Sequence, residues 1–406
     1  MSPDLPFDII NHIVDIVGES NDTDLIKKLA LVSHSLLLIC TKYLFAIVDL
    51  YGADSVFASS KKGFIKLLKN RPEVVKYIRK IKYNVILNDD DDDDDHLLSR
   101  TLLNLLPTLS CLNNLTITAS RRDWNNLNSS LRSTFLHIMH LPTINHIDLS
   151  YIQNFPLSSL THSVNLRRLD IHNLGRFSRP EEDASPEIVA KMMPKIRKFY
   201  TSGSSRLTTR LLLAKMRDGR PAFNFMDLRR FSTSLKGLED GQNTLFLLQN
   251  ATLLEKLRLS VPYGQSLEGL LSPSARTLKV LDLSVPLLEW DNSIILGGTC
   301  EELEALAEHN MLESFKLRVE IDSDHTSSTE GFIGSIFQKV EGVLVKPGWP
   351  ALRRVSFRLP ISGWIQEDTE KLCEALQSLP DKYLSHLSKL ESVTFNYEAY
   401  LPHCPK

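Results

Sequence analysis

The chain has 406 residues, 42% of them hydrophobic and 24% charged, a balance ordinary for a folded protein and far from that of a disordered one. Forty-seven basic against 49 acidic residues leave a net charge of −2, so the whole molecule exerts no pull toward nucleic acid or anionic membrane, and any electrostatic message must be local. Five cysteines, at 40, 111, 300, 373 and 404, form no Cys-x-x-Cys pair; this argues against a disulfide framework or structural zinc and fits a reducing compartment, cytoplasmic or nuclear.

The first residues, Met1 to Asp8, lack a basic segment followed by an apolar stretch, so no secretory signal is expected. Pro6 suits the first turn of a helix, where its missing N–H would be unpaired anyway. Ile9, Ile13 and Ile16 then form one stripe, Ile10, Val14 and Val17 widen it, and Gly18 is expected to stop the helix. Asp22 or Thr23 can cap a second helix, on which Leu25, Leu29, Val32 and Leu36 recur at i, i+4, i+7 and i+11 as one continuous stripe. A third helical stretch through Ile39 and Tyr43 leads to Phe45–Leu50, which reads as a short strand. The most apolar window, Leu29 to Val48, contains Ser33, His34, Ser35, Thr41 and Lys42; those groups are costly in hydrocarbon, so a membrane span is rejected. Helices this short cannot build a large core of their own. Their apolar surplus needs a partner, either the first repeat or another protein.

Beyond residue 50 a loose Leu-x-x-Leu-x-Leu motif dominates. Copies begin at Ile78, Leu112, Ile144, Leu166, Ile196, Leu228, Leu254, Leu278, Leu312, Leu352 and Leu390, at intervals of 22 to 40 residues. A short strand recurring at such spacing predicts an α/β solenoid, an irregular horseshoe in which each unit hides its apolar face against its neighbours. Outer helices are expected at Trp124–His140, Ser185–Met193, Thr329–Val345 and Asp368–Leu379, and at Glu301–His309 behind the capping-box pattern Thr299-Cys-Glu-Glu302. The 22-residue interval after Ile144 leaves room for a loop or one helical turn. The seven acids Asp89–Asp95 read as a solvated loop, as do the polar stretches 173–184 and 320–328.

The opening residues resemble a known family. Leu5-Pro6-Phe7-Asp8-Ile9-Ile10, Asp24-Leu25, Leu29-Ala30-Leu31-Val32-Ser33 and Tyr43-Leu44-Phe45 look like an F-box, of the kind found in fungal F-box proteins with degenerate leucine-rich repeats. The resemblance implies an F-box-like helical domain over 1–50 and a leucine-rich-repeat domain over 51–406. It further implies docking on a Skp-type adaptor and, through it, a cullin, with Leu5, Pro6, Ile9, Ile13, Leu25, Leu29 and Val32 facing the adaptor. Leu36 stands where the family often has Trp, a departure that removes an aromatic anchor. The implied role is substrate recognition in a Skp–cullin–F-box ubiquitin ligase. The residues alone leave open a leucine-rich-repeat scaffold unconnected to ubiquitin ligation, whose N-terminal helices merely cap the array.

Alternate strand positions should face outward. Across the eleven copies these hold eleven Lys or Arg against three Asp. One reading is that the cations keep an exposed sheet soluble; the other is a basic trough for an acidic or phosphorylated target segment. Arg354 and Arg358 with Lys316 and Arg318 would be its densest part, and Lys256 with Arg258 would extend it. Basic–aromatic interleaving is missing, which argues against nucleic acid. Cys300 follows a glycine turn and His403 adjoins Cys404, but neither comes with a discernible base and orienter, and the common nucleotide, metal and hydrolase motifs are absent. The expectation is a binding protein, not an enzyme, with no cofactor or metal.

Overall fold

In ten of the eleven motif copies a strand opens at the third motif position, because from there apolar and polar residues alternate with the period of two that a half-buried strand requires. In the last copy the strand begins four residues after Leu390. The computed structural model describes residues 6–400 apart from 21, 51–60, 86–91, 176–192, 262–266, 288–297, 308–309, 323–328 and 363–368. These residues make an α/β repeat array in two compact units, Met1–Pro194 with Leu213–Phe223, and Lys195–Leu212 with Asn224–Lys406.

The first unit begins with three helices, α1 (Phe7–Glu19), α2 (Thr23–Ala30) and α3 (His34–Leu44). Asp22 caps α2 by accepting the Leu25 N–H at 3.0 Å. Val14, Ile26, Ala30, Ile39 and Cys40 form a small separate core, against which Ile10, Val17, Leu29, Leu36, Leu37, Tyr43 and Leu44 pack half-buried. Two expectations are corrected here. Gly18 does not stop α1; it lies inside the helix, where a Cβ would come within 2.3 Å of the Tyr43 ring, so its smallness lets α1 and α3 touch. The stripe from Leu25 to Leu36 is not one helix either. Ser33 accepts the Leu36 N–H at 3.2 Å and starts α3 afresh, a local capping bond that overrides apolar periodicity.

The chain then enters a parallel sheet of β1 (Ile47–Leu50), β2 (Lys80–Val85), β3 (Asn114–Asp123), β4 (His146–Gln153) and β5 (Arg168–His172), adjacent in chain order. Helices α4 (Lys61–Asn70), α5 (Asp92–Leu105), α6 (Ser129–Met139) and the single turn α7 (Leu157–Leu160) occupy the connections. That single turn is what the 22-residue interval allowed. Asp92–Asp95, expected in a loop, instead open α5; the rest of the run lies outside the described residues. The helix expected over Trp124–His140 is broken into a 3-10 turn, Trp124–Asn126, and α6, which Asn128 caps by accepting the Ser130 N–H. Tyr83 and Phe135, then Trp124 and Phe155, meet edge to face at 5.0 Å in the core.

The second unit repeats the plan with β6 (Lys198–Ser202), β7 (Arg230–Ser234), β8 (Lys256–Ser260), β9 (Val280–Leu287), β10 (Ser314–Asp322), β11 (Arg354–Ser362) and β12 (Thr394–Tyr400), again parallel and in chain order. Its helices are α8 (Ser205–Leu213), α9 (Leu238–Asn250), α10 (Thr299–Ala307), α11 (Thr329–Leu344) and α12 (Thr369–Tyr383). The expected helix 185–193 falls almost wholly outside the described residues, as do most of the two expected loops; residues 320–322 of the second loop are strand. The capping box at Thr299 is not formed, since Thr299 already lies in α10. Glu302 turns inward instead, nearly buried, and accepts the backbone N–H groups of Gly269 and Leu271. Glu341 does the same for His386 and Leu387 at 2.8 and 3.0 Å. Each buried carboxylate satisfies backbone donors that would otherwise lose hydrogen bonds.

One main-chain device recurs in both units. The carbonyl just before a strand accepts two successive N–H groups from the next repeat, as Asn113 does from Asn145 and His146 at 3.0 and 3.1 Å, and Glu255 from Lys279 and Val280 at 2.9 Å each. It fixes the register in which repeats stack.

Candidate functional site

Three surfaces compete as a site. The first is the face of α1–α3 turned away from its own small core. Phe7, Ile9, Ile13, Ile16, Leu25, Leu31, Val32 and Leu38 are all exposed, from 39% for Leu25 to 87% for Leu31. The cause is geometric: a short helix packed on one side buries only one stripe, and this segment, with Leu31 and Val32 in the turn between α2 and α3, carries more apolar residues than that stripe holds. Among the sequence-selected residues, Pro6, Ile9, Ile13, Leu25 and Val32 are exposed, while Leu29 and Leu36 pack half-buried against the small core. Leu5 lies outside the described residues. Phe7, Ile16, Leu31 and Leu38 are not among the residues expected to face the adaptor, although Ile16 belongs to the α1 stripe and Phe7 and Leu31 to the F-box-like motif. Asp15 ties α1 to α3: its Oδ1 accepts from Lys42 Nζ at 2.7 Å and from the Tyr43 hydroxyl at 2.9 Å. Lys42 holds the Asp15 carboxyl below its usual range, while burial and then Asp15 push the Tyr43 phenol up to about 12.

The second surface is the outward row of β1–β5, where most of the charges are spent on one another. In register, Asp49, Lys82, Thr116, Asp148 and Asp170 stand side by side, with Lys80, Asn114, His146 and Arg168 in the next row. Lys82 Nζ lies 3.4 Å from Asp49. Asp170, only 4% exposed, accepts from His146 Nε2 at 3.0 Å and from Arg168 at 2.8 Å. Burial would raise the Asp170 carboxyl, but the His146 and Arg168 bonds outweigh it and hold it below its ordinary value. Asp49 Oδ1, Asn84 Oδ1, Asn114 Oδ1 and Thr116 Oγ1 are sealed from solvent without hydrogen-bond partners. Atoms that a water cannot touch are equally beyond a ligand.

The third is the outward face of β6–β12. Lys198, Arg230 and Lys256 occupy directly opposed positions on three neighbouring strands, about 4.8 Å apart. Of the six residues the sequence singled out here, three are neutralised. Arg258 Nη2 meets Asp282 at 2.7 Å, Arg318 meets Glu320 at 2.9 Å and Arg358 meets Glu398 at 3.1 Å. Lys256, Lys316 and Arg354 make no ion pair with a described residue, and neither does Arg230. The densest open charge therefore sits not at Arg318 and Arg358 but at Arg230 and Lys256, with a second concentration at Lys316 and Arg354. Burial, then the charge of Arg258, pulls the Lys256 ammonium below its usual range, with Lys316 and Arg230 adding to the effect and Asp282 opposing it. Arg230 was legible as an outward residue, but only strand register reveals that it faces Lys256.

Cys300 is half-buried at the start of α10, and burial followed by Glu301 pushes its thiol up, the opposite of what activates a nucleophile. His403 and Cys404 lie outside the described residues. Among the described residues, no helix is long and apolar enough to cross a membrane. A scan against protein-family models found no match, and a search of the curated proteins found none either.

Proposed function

We propose that this chain is a substrate receptor of a Skp–cullin–F-box ubiquitin ligase, with α1–α3 docking on a Skp-type adaptor and the outward strands of the second unit holding a target protein. The observation that carries this reading is the set of eight exposed apolar side chains on α1–α3, beginning with Phe7 and ending with Leu38. So many large apolar side chains left exposed within one short helical segment point to an interaction site. The F-box resemblance of the same residues supplies the partner's identity, and the repeat array behind them reads as an irregular leucine-rich-repeat horseshoe. The chain contributes no chemistry; it raises rate by holding target lysines near a ubiquitin-charged enzyme. Such a ligase operates in cytoplasm or nucleus.

A leucine-rich-repeat scaffold without ligase contact would explain why α3 runs straight into β1, which pairs with β2. It does not explain why Leu31 and Val32 face solvent. Co-purification with a recombinant Skp-type adaptor separates the readings. The wild-type chain is expected to capture the adaptor stoichiometrically, and the double variant Leu25→Asp, Val32→Asp to lose it while staying folded, since neither side chain belongs to the helices' own core. Leu29→Ala is a poorer probe because Leu29 also packs on the helices' own core. Capture by the double variant at the wild-type level, or none by wild type, overturns the proposal.

A further inference from the structure

Among the described residues on the outward strands of the second unit, the sequence-selected cations left open and their neighbour Arg230 form two separated pairs. Arg230 and Lys256 are direct cross-strand neighbours on β7 and β8. Lys316 and Arg354 are diagonal neighbours on β10 and β11, where Ser314 faces Arg354 and Lys316 faces Ser356, a separation of about 7–8 Å. Between the pairs lies β9, whose outward Asp282 is nearly buried and clamped by Arg258 through bonds of 2.7 and 2.8 Å. The centre of the face is thus electrically closed, and its two flanks are not. Like charges placed directly opposite destabilise a sheet, so an unneutralised Arg230–Lys256 pair is a cost that a bound anion relieves.

We infer that this face takes an extended acidic segment of a partner protein bearing two anionic groups about four residues apart, one seated on Arg230 and Lys256 and the other on Lys316 and Arg354. The spacing follows from the sheet. Lys256, Val280, Ser314 and Arg354 occupy one register row, so the two flanks are three strand spacings, about 14 Å, apart, and an extended chain covers that in about four residues. A nucleic-acid backbone fits worse, because its continuous phosphates would press one charge against Asp282, and the row offers no run of aromatic rings for bases to stack on. Carboxylate and phosphoserine side chains share the required chemistry, since guanidinium and ammonium groups bind both. The inference rests on the reading that this face holds the target, and it adds the charge pattern of that target.

The test uses the full chain and fluorescence anisotropy with labelled Gly/Ser peptides. One carries two Glu-Glu pairs with four residues between centres, a second carries phosphoserine in place of each pair, and a third carries the same acids in one block. The spaced peptides, of either anion, are expected to bind at least tenfold more tightly than the block peptide. Arg230→Glu with Lys256→Glu, and separately Lys316→Glu with Arg354→Glu, are each expected to weaken the spaced peptides tenfold or more. Adaptor capture by each variant serves as the folding control. Equal binding of spaced and block peptides, an effect from only one cation pair, displacement by a short single-stranded oligonucleotide at lower concentration, or no peptide binding overturns the inference. A chain that captures adaptor but ignores every peptide sinks this inference alone; one that binds the spaced peptides but no adaptor sinks the recruitment reading alone.

Discussion

The outward strand faces of the two units share one backbone pattern and treat charge in opposite ways. In the first, most outward cations lie on an acid: Lys82 beside Asp49, and His146 and Arg168 on Asp170, with Lys80 the exception among the described residues. In the second, Arg230 stands opposite Lys256 and cations outnumber acids along the rows. The inward positions of a repeat must be apolar because they make the core, but the outward positions answer to no such demand. One array can therefore hold a self-satisfied wall in one unit and an open cationic face in the other.

That contrast can be broken or sharpened by substitution. Asp170→Ala strips the partner from His146 and Arg168 in a nearly buried network, and should lower the first unit's unfolding free energy by about 3 kcal/mol in chemical denaturation. Thr116→Val removes a sealed hydroxyl without a partner while keeping its shape, so a gain of about 1 kcal/mol is expected; a loss would mean that the hydroxyl is satisfied in solution. The acid limb gives a third check. The folded Asp170 carboxyl lies below its unfolded value near 4, so its stabilisation is complete above about pH 4 and fades as the pH falls through the folded value. Wild type and Asp170→Asn should differ fully at pH 7 and converge in acid. Smallest of all, Arg230→Ala or Arg354→Ala in the second unit should change stability by less than about 0.5 kcal/mol, as exposed substitutions usually do. A large loss there would show that those cations are structural after all.

The repeats were legible because they obey the simplest rule. From Ile78 to Leu352 the motif places buried residues at alternate positions, and each copy became a strand. Where a local polar bond competed with periodicity, the reading failed. Ser33 ended the apolar stripe from Leu25 to Leu36, and Glu302 left its expected capping role for the Gly269–Leu271 backbone, a partner far away in sequence. Gly18 looked like a stop signal because the Tyr43 ring that needs its space comes from another helix. The candidate surfaces divide the same way. Exposure of Ile9, Ile13, Leu25 and Val32 followed from helical geometry and from the F-box likeness. Which outward cations stay open did not, because Arg318 and Arg358 are answered by Glu320 and Glu398, acids placed by strand length and register.

The recruitment claim is tested most directly by titrating the full chain with a purified Skp-type adaptor in a calorimeter at several temperatures. Docking through the α1–α3 face predicts one-to-one binding with a clearly negative heat-capacity change, the mark of apolar surface leaving water, and loss of binding in the Leu25→Asp, Val32→Asp variant. Binding that survives the double substitution, or the absence of any binding heat across the temperature range, would contradict it.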